Sequence, residues 1–306
     1  MMTGAQDVHC PDATPIDLVA GGDGLIGRAL VEHLADRNIP VLATTRHRGA
    51  RPDRLHLDLA ENPDQWVLPS RISTAYLLAG TTNMAACESD MAETRRINVT
   101  NTLALAGQLR DRGGHVVVVS TNLVHAGTTP FATIDRPVAP QNTYAAQKTE
   151  VERALLEAGN ASILRITKIA ESIENLATQW AANLVRGKPV QPFSDLVCAP
   201  VALTQVIDVL TELGRRRESG IYQFGADRDV SYPEIAVMLA DRIGVDRSLV
   251  RPVSSRDAGV RLAACPAYTT LESAATFCAL GIGAWPVEKA LYPVLDRAIE
   301  KARSPA

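Results

Sequence analysis

Ile16-Asp17-Leu18-Val19-Ala20-Gly21-Gly22-Asp23-Gly24-Leu25-Ile26-Gly27 decides the fold. Residues 16–20 are apolar except for Asp17 and read as a short buried strand. From Leu25 onward, Leu25, Ile26, Ala29, Leu30 and Leu34 recur at helical spacing. The glycines therefore stand between a strand and a helix, the context that gives a dinucleotide-binding loop its meaning. Gly22, Gly24 and Gly27 satisfy G-x-G-x-x-G, and Gly21, Gly24 and Gly27 satisfy G-x-x-G-x-x-G. Glycine permits the tight turn and the close approach of backbone to a pyrophosphate. The helix N-terminus supplies N–H groups and the positive end of a dipole.

Working outward, Val41-Leu42-Ala43-Thr44-Thr45 is the next strand. A site for NAD would place Asp or Glu near its end to hold the ribose 2′-hydroxyl, and none stands there. Arg46 and Arg48 instead offer charge to a 2′-phosphate. NADP(H) is therefore the preferred cofactor, with NAD(H) still admissible. A third strand, Leu55-His56-Leu57-Asp58-Leu59, ends on an acid that could contact adenine. A fourth, Ala75-Tyr76-Leu77-Leu78, runs into Ala79-Gly80-Thr81, small residues suited to lying against the cofactor. Strands alternate with helices from Ile16 to Ile169, which implies an α/β chain with a parallel sheet wound on both faces.

The chemistry sits in Thr143-Tyr144-Ala145-Ala146-Gln147-Lys148. A phenol and an ammonium four residues apart share one helix face. The ammonium favours the phenolate and is expected to lower the Tyr144 pKa from its ordinary value of about 10. Such a tyrosine can exchange a proton with a carbonyl or alcohol oxygen. The chain has few lysines and many arginines, which makes the lysine at this place more notable.

With the glycine loop, Tyr144 and Lys148 in place, the chain resembles the extended short-chain dehydrogenases/reductases. A strand at Val116–Val119 leads into Ser120-Thr121-Asn122-Leu123-Val124-His125-Ala126-Gly127. The resemblance implies that Thr121 hydrogen-bonds the reacting oxygen. It implies that Asn98, in Arg96-Ile97-Asn98-Val99, supports the active-site lysine, and that Leu164-Arg165-Ile166 is the strand after the tyrosine helix. The fold it implies is a Rossmann-type doubly wound parallel sheet with a smaller C-terminal α/β substrate-binding cap. The expected organisation is a flexible N-terminal tail at residues 1–14 and an NAD(P)-binding domain at 15–169. Residues 170–306 would be mainly the cap, with room to interleave with the first domain.

Within that group, Ser120-Thr121-x-x-Val124-x-x-Gly127 and Pro140-Gln141-Asn142-Thr143-Tyr144 are most similar to the dTDP-4-dehydrorhamnose reductase-like branch. Members of that branch usually carry Asp-Tyr and Phe-Asp where this chain has Asn122-Leu123 and His125-Ala126. The implied catalytic set is Thr121, Tyr144, Lys148 and Asn98. Gly21, Gly24, Leu25, Ile26, Gly27, Arg46, Asp58, Leu59, Ala79, Gly80 and Thr81 would hold the cofactor, together with Tyr144 and Lys148. Asn122, His125, Lys168 and Asp195 are the substrate candidates. The expected reaction is NADP(H)-dependent reduction of a keto group on a nucleotide-linked sugar. Dehydration needs an acid pair where Asn122-Leu123 stands. Fucose-synthase-type epimerisation needs a cysteine, and none lies between Cys87 and Cys198. Two other readings stay open: an epimerase with tightly held NAD(P), and a cofactor-binding regulatory subunit without turnover.

Composition bounds the rest. A length of 306 residues suits one nucleotide-binding domain with a smaller partner. The net charge of −3 carries no basic surplus for nucleic acid. No apolar run reaches membrane-spanning length, and residues 1–14 lack the apolar centre of a signal peptide. Scattered Cys10, Cys87, Cys198, Cys265 and Cys278 fit reduced thiols in a cytoplasm. The histidines show no ligand-like spacing, so no metal is expected. Pro130, Pro137 and Pro140 mark Thr128–Gln141 as a loop over the active site. Helical stretches are expected near residues 85–112, 143–158, 173–185, 203–213 and 232–243, with a short strand at 221–224. The first two of these form the usual dimer contact in the resembled family, so a homodimer is expected. Ser231 with Glu234 reads as a capping box rather than as chemistry.

Overall fold

The computed structural model describes residues 14–49 and 53–304. The expected N-terminal tail, with His9 and Cys10, lies outside them apart from Thr14. In chain order the strands are β1 (Ile16–Ala20), β2 (Val41–Thr45), β3 (Arg54–His56), β4 (Ile72–Leu77), β5 (His115–Thr121), β6 (Ala161–Ile166), β7 (Val197–Cys198), β8 (Gly220–Phe224) and β9 (Val230–Ser231). Seven of them form one parallel sheet in the order β3-β2-β1-β4-β5-β6-β8. β7 and β9 pair antiparallel in a separate small ribbon.

The central strands are buried on both faces, which is why β5 and β6 read as nearly unbroken apolar runs. Helices Leu25–Asp36 and Leu203–Arg216 cover one face, and Thr102–Arg110 and Thr143–Ala158 cover the other. Gly214 lets the helix Leu203–Arg216 lie close on the sheet. A Cβ there would overlap the hydroxyl of Tyr76, a residue only 1% exposed. The strand order reverses between β1 and β4. In doubly wound sheets the ligand crevice opens above the carboxyl ends at that point.

Residues after 170 divide between sheet and cap. Helices Glu174–Val185, Tyr232–Ile243 and Val287–Arg303 pack on one another beyond the sheet. Strand β8 and the helix Leu203–Arg216 return to the sheet, with β8 beside β6. Ser231 caps its helix as expected, accepting from Glu234 N–H at 3.2 Å, but the Glu234 carboxylate goes to Arg228 at 2.7 Å.

Three local expectations change. The third strand stops at His56, because the Asp58 carboxylate accepts from the Ala60 N–H at 2.9 Å and turns the chain. The helix expected over residues 85–112 is broken. Met84–Ser89 ends at Asp90, whose carboxylate caps the next short helix through Glu93 N–H at 3.1 Å. A π-helical turn at Arg96–Asn101 then precedes Thr102–Arg110. Such turns are frequent at functional sites, and this one contains Asn98.

Candidate active site

A cavity of about 560 Å³ opens above the carboxyl ends of β1, β4 and β5. Its first wall is the glycine loop. Gly21 has φ +91°, and a Cβ there would lie 2.7 Å from the Ala79 nitrogen. A Cβ at Gly27 would overlap the Gly21 carbonyl oxygen, and Gly24 N–H closes the turn on that oxygen at 3.1 Å. The following helix has no side-chain cap and no acid in its first turn. A bare helix N-terminus behind glycines that leave room for another backbone or ligand is a cradle for an anionic diphosphate. The residues present thus fit a dinucleotide.

The middle of the cavity carries the residues expected to handle the proton. Thr121, Asn122, Tyr144 and Lys148 all line it. The helix bearing Tyr144 and Lys148 is started by Asn142, whose side chain accepts from Ala145 N–H at 2.9 Å. Glu88 accepts from Thr143 N–H at 2.7 Å and fixes the same turn. Thr121 ends β5 at 8% exposure; its hydroxyl oxygen accepts from Leu123 N–H at 3.2 Å and the hydroxyl reaches Asn122 Oδ1 at 3.4 Å.

Lys148 Nζ lies 6.0 Å from the centroid of the Tyr144 ring and donates to the Val119 carbonyl at 3.0 Å. Burial pushes Tyr144 up to about 12 and Lys148 down to about 8. The tyrosine shift is opposite in direction to the sequence expectation. Burial desolvates the phenolate, and the hydrogen bond of the ammonium goes to a carbonyl rather than to the phenol. At neutral pH the phenol is therefore protonated and the lysine charged.

Asn98 does not touch Lys148. Its amide donates to Gln147 Oε1 at 2.8 Å and to the Thr81 carbonyl at 2.9 Å, and its oxygen accepts from Thr81 N–H at 2.7 Å. Gln147 in turn donates to Thr94 at 3.0 Å. Asn98 thus ties the segment after β4 to the residue that precedes Lys148. Gly80 must stay a glycine for this, since a Cβ there would come within 2.9 Å of Asn98 Oδ1.

Among the expected cofactor residues, Gly21, Gly24, Leu25, Ile26, Gly27 and Gly80 line the cavity. Ala79 and Thr81 flank Gly80 without forming wall. Arg46 is exposed at the end of β2, Asp58 is engaged in its own turn, and Leu59 is buried in the core; none of these lines the cavity.

Among the substrate candidates, Asn122 and Lys168 line the cavity. His125 does not: it is 4% exposed, and its Nε2 lies 3.4 Å from Nη1 of Arg165. Arg165 is itself paired with buried Glu152 at 2.8 Å. A turn of 3₁₀ helix at Asn122–Val124 carries His125 away from the wall, and burial beside Arg165 lowers it to about 4. Asp195 is likewise occupied elsewhere, accepting from the Ser255 hydroxyl at 2.5 Å and the Ser255 N–H at 3.0 Å.

The far half of the cavity holds Ser172, Cys198, Tyr232 and Thr269, none of them among the expected site residues. They come from the cap, and only the pairing of β7 with β9 brings Cys198 near Tyr232. The loop Thr128–Gln141 is also absent from the wall. Ala264, Pro266 and Thr269 stand there instead, with Gly127 (φ +66°) packed against Pro266. Among the described residues no group of three or more His, Cys, Asp or Glu is placed to hold a metal ion.

The profile of the RmlD substrate-binding domain matches residues 17–299. The chain belongs to that family. It falls in the dTDP-4-dehydrorhamnose reductase-like branch of the extended short-chain dehydrogenases/reductases. It is 28% identical over 263 residues to dTDP-4-keto-6-deoxy-D-glucose reductase of Streptomyces niveus, covering 83% of this chain and 87% of that protein. It is 26% identical over 258 residues to methionine adenosyltransferase 2 subunit beta of Xenopus tropicalis, covering 79% of this chain and 76% of that protein. Among solved structures, MoeE5 in complex with UDP-glucose and NAD superposes with a TM-score of 0.76 at 22% identity, covering 94% of this chain and 98% of that one. The NADP complex of Bacillus anthracis dTDP-4-dehydrorhamnose reductase gives 0.75 at 18% identity, covering 94% and 100%. These structural matches establish the Rossmann-type fold.

Proposed function

We propose that this protein is an NADP(H)-dependent reductase of a keto group on a nucleotide-linked sugar. One observation carries the reading: Thr121, Tyr144 and Lys148 share a cavity wall with the glycine cradle. Bound dinucleotide supplies the hydride that reaches the carbonyl carbon. The phenol of Tyr144, protonated at neutral pH, gives its proton to the carbonyl oxygen as that oxygen takes on negative charge. The Thr121 hydroxyl donates to the same oxygen, and the Lys148 ammonium offsets the phenolate left behind until solvent returns the proton. Asn98 keeps the lysine-bearing turn in register through Gln147. Lys168 is the cation in the far half of the cavity suited to substrate phosphates. The test is an NADPH-oxidation screen across nucleotide-linked keto-sugars. Turnover on at least one supports the reading; turnover on none, by protein that binds NADPH, overturns it.

A regulatory reading has one observation in its favour, the relative named as a subunit of methionine adenosyltransferase. It predicts a stable partner protein and no keto-sugar turnover. An epimerase would instead co-purify with nicotinamide dinucleotide and consume no NADPH. We also propose a cytoplasmic homodimer. Met91 and Leu156 are exposed on the two helical stretches expected to pair, and light scattering of the purified protein tests the dimer.

A further inference from the structure

In dinucleotide sites of this fold the adenosine ribose is read at the end of the second strand. The charges placed there are not those the sequence singled out. Arg46 is exposed and makes no hydrogen bond or ion pair among the described residues. Asp23, inside the glycine loop, instead accepts from the Thr45 hydroxyl at 2.6 Å, at the last residue of β2. Its other carboxylate oxygen accepts from Nη1 of Arg54 at 3.1 Å. Arg54 opens β3, directly beside Ala43 of β2. Its side chain is only 7% exposed and its Nε is buried with no partner. The guanidinium packs on Gly22, where a Cβ would lie 2.5 Å from Nη1.

We infer that the Asp23–Arg54 pair, and not Arg46, reads the adenosine ribose and sets the balance between NADP(H) and NAD(H). The inference rests on the reading of this cleft as a dinucleotide site. A carboxylate accepts from ribose hydroxyls and repels a 2′-phosphate, whereas a guanidinium attracts the phosphate. Asp23 is well placed for the first role: its side chain is 40% exposed, and two carboxylate oxygens offer about four acceptor positions, of which Thr45 and Arg54 take two. Arg54 supplies the guanidinium for the second, but only 7% of its side chain is exposed and its charge is already offset by Asp23. The intact pair therefore admits both cofactors and holds the preference for NADP(H) below what Arg54 alone would give.

The experiment measures dissociation constants for NADPH and NADH by calorimetry on the full chain and its variants. Asp23→Asn keeps an acceptor for Thr45 and removes the negative charge. It is expected to shift the ratio toward NADPH by about tenfold, the scale of one charge-assisted interaction. Arg54→Gln is expected to weaken NADPH about tenfold while NADH changes little. Arg46→Ala should leave the ratio within about twofold, as expected for a solvated charge. Circular dichroism identifies any variant that has unfolded; Asp23→Ser then carries the same test with a smaller neutral side chain. A ratio moved by Arg46→Ala and unmoved at Asp23 and Arg54 overturns the inference and leaves the dinucleotide site standing. Failure of the unaltered chain to bind either dinucleotide overturns both.

Discussion

The Asn98 amide donates to Gln147 Oε1 at 2.8 Å, and through that contact the π-helical turn holds the helix that carries Lys148 one residue further on. The same amide and its oxygen bracket the backbone of Thr81. One buried side chain thus sets the distance between the segment after β4 and the tyrosine helix, the two flanks of the cavity. Among the described residues Lys148 makes no side-chain hydrogen bond; it points its ammonium at the Val119 carbonyl.

Replacing Asn98 by Leu therefore does two things. It leaves the Thr81 N–H and Gln147 Oε1 without their partner, which costs about 1–3 kcal/mol per unsatisfied buried group. It also lets the lysine turn drift, so kcat falls more than the affinity for dinucleotide. Denaturant unfolding and steady-state kinetics measure the two effects separately.

The rate should fall as pH rises through about 8. Burial lowers Lys148 to about 8, so its ammonium is present below that pH and lost above it. Tyr144, pushed up to about 12, remains protonated throughout this range. Only the lysine limb is therefore visible in kcat/KM. In Lys148→Arg, whatever activity survives should no longer decline near pH 8, because guanidinium does not titrate there.

His125 should make the protein acid-labile. Its folded-state value, about 4, lies below the ordinary 6.5, so the unfolded chain binds the proton first. Stability from this residue is complete above about pH 6.5 and is lost as pH falls toward 4, amounting at most to roughly 3 kcal/mol. Urea unfolding at neutral pH and at pH 5 measures the loss. In His125→Gln the part of the difference owed to this imidazole should vanish.

Gly27→Ala places a methyl group against the Gly21 carbonyl oxygen, which is backbone and cannot swing aside. The loop must open. We expect a stability loss of about 1–3 kcal/mol from overpacking and loss of dinucleotide binding, both readable in a thermal-shift assay with and without NADPH.

The strand-turn-helix at residues 16–36 was legible in the sequence because every part of its signal is local: an apolar run, glycines, then helical spacing. That Thr121, Tyr144 and Lys148 share one cavity wall was legible for the same reason, each lying in a short motif at or near the start or end of an element. What escaped was set by pairing across the chain. Arg54 matters only because β3 aligns it with Ala43, and Asp23 only because Thr45 meets it. His125 sits four residues past Thr121 yet faces Arg165, since a 3₁₀ turn intervenes. The Tyr144 pKa departs from the sequence expectation because sequence shows the charge nearby but not the burial around it.

The proposed reaction stands or falls on proton delivery by Tyr144. The most direct measurement is Tyr144→Phe, assayed for NADPH oxidation with whichever keto-sugar the unaltered protein reduces, and for NADPH affinity by calorimetry. Turnover should fall by at least about a thousandfold, near the scale of a lost general acid, with NADPH affinity nearly unchanged. Turnover equal to that of the unaltered protein would contradict it.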